Sequence, residues 1–172
     1  MSEFVDANVF LRLITGDDLE KAARCFELFD RAGRGDESLF TSESVVAEVV
    51  YVLSRTSYRA PRAEVEAAFG GVLANPGLRL AHKDSVLRAL EHWHESKLDF
   101  EDCLSAQHVR RLALDGIYSY DRDFDRVPGI RRLAGVVELA AVTRGPKGSV
   151  LLQGDRVVEV AAEPVDVVDT TG

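Results

Sequence analysis

Apolar residues along the first 133 positions follow two alternating periods. Short β-branched or aromatic runs at 3–5, 39–41, 78–81 and 117–120 read as strands, and longer stretches with apolar residues three and four apart read as helices. The first strand leads directly into a helix over 8–14 that Gly16 closes. Asp17 or Asp18 caps a second helix, with Leu19, Ala22, Phe26 and Phe29 inward and Glu20, Lys21, Arg24, Glu27 and Arg31 in water. The segment 42–55, SESVVAEVVYVLSR, carries Val45, Val46, Val49, Val50 and Leu53 on an apolar face. Pro61 opens a further helix with Val65, Phe69, Val72 and Leu73 inward, and Asn75-Pro76-Gly77 stops it. Asp84 is placed to cap a helix that buries Val86, Leu90 and Trp93. Strands alternating with helices predict an α/β domain with a parallel sheet.

The densest chemistry lies in 98–127, LDFEDCLSAQHVRRLALDGIYSYDRDFDRV. Asp99 and Asp102 stand three apart at a helix start, so one face can hold both carboxylates. A turn at Asp115-Gly116 leads into a buried strand over 117–120, whose C-terminal end carries Asp121 and Asp123. In a parallel α/β sheet ligands bind at that edge. Asp6 follows the first strand in the same way, and either caps the next helix or points into a site. Glu48, between Val-Ala and Val-Val, either surfaces on the opposite stripe or faces a cation from the apolar side, with Ser44 beside it. Clustered carboxylates repel one another, and a hard cation relieves that. The pattern therefore suggests a magnesium or manganese site built from four sequence-distant acids.

Charge narrows the picture. The formal net charge is −8 with a pI near 5.0, which argues against a purely electrostatic nucleic-acid binder. Through residue 133 there are 23 acids and 18 lysines plus arginines. Setting aside Asp6, Glu48, Asp99, Asp102, Asp121 and Asp123 leaves a nearly neutral shell that could accept a polyanion once the acids hold metal. Cys25 and Cys103 show no zinc-like spacing and read as small buried residues in a reducing compartment. His92 and His94, two apart, do not share a helical face. No apolar run approaches the roughly 20 residues of a membrane span. The acidic start MSEFVD does not read as a signal peptide, so a cytoplasmic location is expected.

Beyond Leu133 the character changes. Short strands at 139–143, 149–153, 156–162 and 165–168, separated by Gly- and Pro-containing turns, predict a β meander. The chain is thus divided into a domain over 1–133 and a β-rich appendage over 134–172, too short to bury a core of its own.

Four motifs in order, FVDANVFLRLI, SVVAEVVYVL, DFEDCLSAQ and GIYSYDRDF, resemble the signatures of PIN-domain ribonucleases of the VapC toxin type over about residues 3–133. The resemblance implies an α/β/α sandwich with a short parallel sheet, Mg²⁺ or Mn²⁺ dependence, single-stranded or tRNA-like RNA as substrate, and a homodimer inhibited by a cognate antitoxin. It places the family's metal-site acids on Asp6, Glu48, Asp102 and Asp121, with Asp99 and Asp123 as auxiliary neighbours and Ser119 at a small hydroxyl position. Arg122 or Arg126 would then touch the RNA backbone, against the plainer reading of solvated loop charges. The segment from about 135 to 172 looks like a piece of PfkB/ribokinase-family sugar kinases. It stops at Asp169-Thr170-Thr171-Gly172, before the Gly-Ala-Gly-Asp that would supply the anion hole and base, so no kinase activity is expected. Two alternatives remain: a non-catalytic RNA-binding or protein-interaction module on the same fold, and a Toprim-like enzyme using Asp121-Arg122-Asp123. A haloacid-dehalogenase-type phosphatase fits less well, because Ala-Asn-Val rather than an Asp-x-Asp pattern follows Asp6.

Overall fold

The computed structural model describes residues 2–55, 58–133, 140–143, 149–153 and 156–161. In order these form β1 (Ser2–Phe4), α1 (Ala7–Thr15), α2 (Leu19–Arg34), β2 (Ser38–Phe40), α3 (Glu43–Arg55), α4 (Arg62–Leu73), β3 (Leu78–Arg79), α5 (Lys83–Glu95) and α6 (Phe100–Arg111). Then come β4 (Ile117–Tyr118), a 3₁₀ turn (Arg122–Arg126), β5 (Arg132–Leu133), β6 (Ala140–Thr143), β7 (Ser149–Gln153) and β8 (Arg156–Val160). All strand pairing among the described residues up to 133 is parallel, as the alternation of strand and helix predicts. It comes in two pieces, β1-β2-β3 and β4-β5. The last three strands make an antiparallel meander, β6-β7-β8. Every residue of β8 is exposed, so neither face of that strand is covered. The expected strand over 165–168 lies outside the described residues. Among the described residues no helix is long and apolar enough to cross a membrane.

Local chemistry accounts for most boundaries. Gly16 closes α1 in the left-handed region at φ 61°, donating its N–H to the Arg12 carbonyl. The Asp18 carboxylate accepts the Lys21 N–H at the head of α2. Gly77 is required for a different reason: a Cβ there would lie 2.0 Å from the Ala32 carbonyl oxygen, where β3 passes the end of α2. Asn75 locks this crossing, donating to the Phe29 carbonyl at 2.9 Å and accepting from the Gly77 N–H at 2.9 Å.

The core centres on Phe10, whose ring lies 5.5 Å from Phe29 and 5.4 Å, edge-on, from Phe69. Val46, Val49, Val50 and Leu53 of α3 and Val86, Leu90 and Trp93 of α5 are buried around it, as their spacing predicts. Three expectations are corrected. On α2 only Phe29 and Ala32 are buried, while Leu19 is 82% and Phe26 65% exposed, because neighbouring elements cover only the C-terminal half of the apolar stripe. His82 rather than Asp84 stands at the head of α5, in a left-handed conformation, and Asp84 falls within the first turn. The strand over 117–120 is short and not buried, since β4 ends at Tyr118, which is 65% exposed.

Truncation of Phe10 to alanine removes the ring on which both aromatic contacts converge. It should cost about 3–5 kcal/mol, read as a lowered denaturant midpoint with an unchanged slope; a loss below about 1 kcal/mol would mean the cluster is not the core's centre.

Candidate active site

Asp6 owes its place to the strand before it. The Val5 N–H donates to the Phe40 carbonyl at 2.7 Å, and the buried Thr41 hydroxyl donates to the Val5 carbonyl at 3.1 Å. These bonds fix the backbone immediately before Asp6. The residue occupies the N-cap position of α1, yet its carboxylate makes no capping bond. Among the described residues its one side-chain hydrogen bond is a long one, accepted from Asn8 Nδ2 at 3.4 Å, so this exposed acid is not spent on ending a helix.

The head of α6 is set by Arg62. Its Nη1 donates to the carbonyls of Trp93, Ser96 and Leu98 at 2.8, 2.9 and 2.7 Å, and the guanidinium stacks on the Trp93 ring at 4.8 Å. That one group ties the last turn of α5 to the chain entering α6. Asp99, the N-cap residue, makes no capping bond and is taken instead by Arg55 at 2.6 Å, with Arg62 at 4.0 Å.

Asp102, one turn into α6, is half-buried, and its carboxyl is pushed above the ordinary aspartate range. Burial contributes most, followed by repulsion from Asp121, Asp99, Glu101 and Asp123. Asp121 arrives from the end of β4. Gly116 lets that strand pass, since a Cβ there would sit 2.2 Å from the Arg131 carbonyl oxygen. The Asp121 N–H donates to Ser119 Oγ at 3.0 Å, and its carboxylate accepts the Asp123 N–H at 2.8 Å. Asp123 pairs with Arg126 at 2.9 Å. Arg132 braces the loop, donating to the Ser119 carbonyl at 3.1 Å and pairing with Asp125 at 2.8 Å.

Glu48 takes the exposed alternative. The helical period sets it opposite Val46, Val49, Val50 and Leu53, on a solvent-facing stripe with Ser44, Tyr51 and Arg55. Helices α3 and α6 run antiparallel past each other, pinned by Glu43 to His108 Nε2 at 3.1 Å at one end and by Arg55 to Asp99 at the other. Glu48 and Asp102 both lie between these pins. A cleft of about 720 Å³ opens beside Asp102, lined among others by Tyr51, Arg55, Trp93, Asp99 and Glu101.

Of the expected acids, the structure thus brings Asp102 and Asp121 into mutual repulsion, with Asp99 and Asp123 near them. It does not gather Asp6 and Glu48 onto the same point. Among the described residues no group of three or more histidine, cysteine or acidic side chains could hold a metal ion. The donor chemistry, carboxylate oxygen throughout, still suits a hard divalent cation. Within the described residues none of Asp6, Glu48, Asp102 and Asp121 belongs to an ion pair, whereas Asp99 and Asp123 are each held by an arginine. Sequence reasoning missed the positioning role of Arg62 and the cleft wall of Tyr51 and Arg55. The latter pair was legible as the exposed stripe three and seven residues beyond Glu48. The cysteines are free, and burial pushes the Cys103 thiol up to about 11, away from reactivity.

A family model for the PIN domain matches residues 4–130. A VapC ribonuclease of Aquifex aeolicus (strain VF5) is 22% identical over 125 residues, covering 73% of this chain and 91% of that protein. The crystal structure of Mycobacterium tuberculosis VapC20, described as a sarcin-ricin loop cleaving toxin, matches 72% of this chain and 93% of its own, with 22% identity and a TM-score of 0.34.

The raised carboxyl of Asp102 sets a pH dependence. A carboxyl whose folded pKa lies above its unfolded value costs the fold stability, a cost absent below the unfolded pKa, growing as pH rises between the two values and complete above the folded one. In metal-free buffer Asp102→Asn should therefore melt higher than the unaltered chain at neutral pH, with the gap closing as pH falls through the carboxylate range. Equal melting temperatures at neutral pH would mean Asp102 is not under electrostatic load.

Proposed function

The chain belongs to the PIN-domain family, matched over residues 4–130, and on that footing we propose that it is a metal-dependent endoribonuclease, the toxin of a toxin-antitoxin pair. The observation that carries the chemistry is the half-buried Asp102 carboxyl, repelled by Asp121 and three further acids and without a basic partner among the described residues. The similarity to a VapC ribonuclease over 91% of that protein supports RNA as the substrate and a cognate antitoxin as the partner. A homodimer in the cytoplasm is the setting this reading entails. We assign residues 1–133 to the nuclease domain and 134–172 to an appendage. The family match ends at residue 130, so the kinase-like resemblance of the last segment draws no support from it.

Asp102 and Asp121 would hold the ion, Mg²⁺ or Mn²⁺, with Asp6 and Glu48 completing its shell directly or through water. Such an ion supplies charge neutralisation at phosphorus and a water of lowered pKa. The chain's own residues do the rest. Arg62 fixes the head of α6 and hence the position of Asp102. The arginines on Asp99 and Asp123 cancel the outer acids, so that a phosphodiester meets less repulsion at the rim. Tyr51 and Tyr120, 58% and 62% exposed, flank the acids as faces on which unpaired bases can stack.

A second reading, a PIN-fold module that binds RNA without cutting it, is favoured by one observation: among the described residues no group of three or more histidine, cysteine or acidic side chains is arranged to hold a metal ion. Incubation with a mixed RNA pool, with and without Mn²⁺, separates the two. Cleavage that needs the metal and leaves 5′-phosphate and 3′-hydroxyl ends is expected, with Asp6→Asn and Asp102→Asn each at least about 100-fold slower, on the scale of losing one electrostatic stabiliser. Cyclic-phosphate ends formed without metal would overturn the mechanism, binding without cleavage would select the second reading, and full activity of Asp6→Asn would remove that acid from the site.

A further inference from the structure

Cations are distributed very differently on two faces of this acidic chain. On α2 and beside it, Arg12, Lys21, Arg24, Arg31 and Arg34 are each ion-paired with a neighbouring acid. On the face made by α5, α6 and the 3₁₀ turn, none of Arg88, Lys97, Arg110 and Arg111 makes an ion pair within the described residues. Arg110 donates to the Pro128 carbonyl at 2.8 Å, and Arg111 contacts His108 Nδ1 at 3.4 Å. All four are exposed.

These residues line two adjoining clefts that share His92. One, of about 470 Å³, holds Arg88, Arg110 and Arg111 with Glu91, Glu95 and Gln107. The other, of about 140 Å³, holds Lys97, Arg126 and Asp123. Asp123 is also one of the acids that press on Asp102, so the smaller cleft shares a residue with the acid group at the head of α6. Along α6 the rise from Asp102 to Arg110 is about 12 Å, room for about three to four stacked nucleotides at ~3.4 Å each.

We propose that this face is a track for the backbone of single-stranded RNA, running from the acids past Lys97 and His92 to Arg88, Arg110 and Arg111. It rests on the reading of the chain as one that acts on RNA, and it assigns the backbone contacts to residues other than Arg122 and Arg126, the latter already held by Asp123. Cations without carboxylate partners are free to displace the counterions of phosphate, which is the source of salt-dependent affinity. The Glu91 and Glu95 carboxylates among them keep the track weak enough to release product.

The test uses the full chain in EDTA, with a fluorescein-labelled oligoribonucleotide of about 12 nucleotides, followed by anisotropy from about 50 to about 200 mM salt. The double substitution Arg88→Glu with Arg111→Glu should weaken binding at least about tenfold at the lower salt and flatten the slope of log K against log salt by about 1.4, two contacts at ~0.7 each. Arg24→Glu, which changes charge on the α2 face, should stay within about twofold. The proposal is overturned if the double variant binds as the unaltered chain does, if Arg24→Glu loses as much, or if the unaltered chain does not bind at the lower salt. Cleavage of the same RNA in Mn²⁺ is scored separately. Track-dependent binding without cleavage rejects the nuclease reading alone, and cleavage with charge-independent binding rejects the track alone.

Discussion

Repulsion among carboxylates at the head of α6 is the constraint on which the rest of this structure turns. Asp102 sits half-buried with Asp121, Asp99, Glu101 and Asp123 around it, and both burial and those charges hold its carboxyl above the ordinary range. A fold under no functional demand has an inexpensive escape from such a load, since replacing one acid with an amide removes it. Here the chain keeps the acids and neutralises only the outer ones, Asp99 through Arg55 and Asp123 through Arg126. What is left is an inner set without basic partners among the described residues, a condition that a divalent ion relieves.

Several otherwise separate features follow from holding that load in place. Arg62 gathers three carbonyls where α5 gives way to α6, so the helix that bears Asp102 starts at one position. The Glu43–His108 and Arg55–Asp99 contacts hold α3 alongside α6 in opposite directions, keeping the cleft wall of Tyr51 beside the acids. Thr41 and Phe40 anchor the backbone before Asp6. Each device acts on backbone placement and leaves the inner carboxylates themselves without cationic partners.

Much of this was readable from residues alone, and the failures share a cause. Strand and helix order, the Gly16 and Asp18 helix ends and the buried faces of α3 and α5 follow from local geometry, which sequence spacing reports directly. Whether a stripe is covered depends on neighbours, and spacing is silent there: Leu19 and Phe26 continue the period of Phe29 but extend past the elements that pack on it. The run from Ile117 to Tyr120 has the composition of a buried strand, yet both tyrosines point out because β4 pairs only with the short β5 among the described strands. Glu48 is the opposite case. Its valine neighbours in sequence left burial and exposure both open, whereas the helical period alone sets it opposite the valines that pack inward. Asp6, Asp102 and Asp121 were identifiable as acids at strand and helix ends, but how far apart they stand is a tertiary fact with no local signature.

The account depends on acids from remote segments drawing together on one ion. Crystals of the full chain soaked in Mn²⁺ and measured at the manganese absorption edge test this most directly. An anomalous peak contacted by Asp102 and Asp121, with Asp6 or Glu48 completing the shell, is the predicted result. A map with no peak at the head of α6, in crystals where Mn²⁺ binds elsewhere, would contradict it.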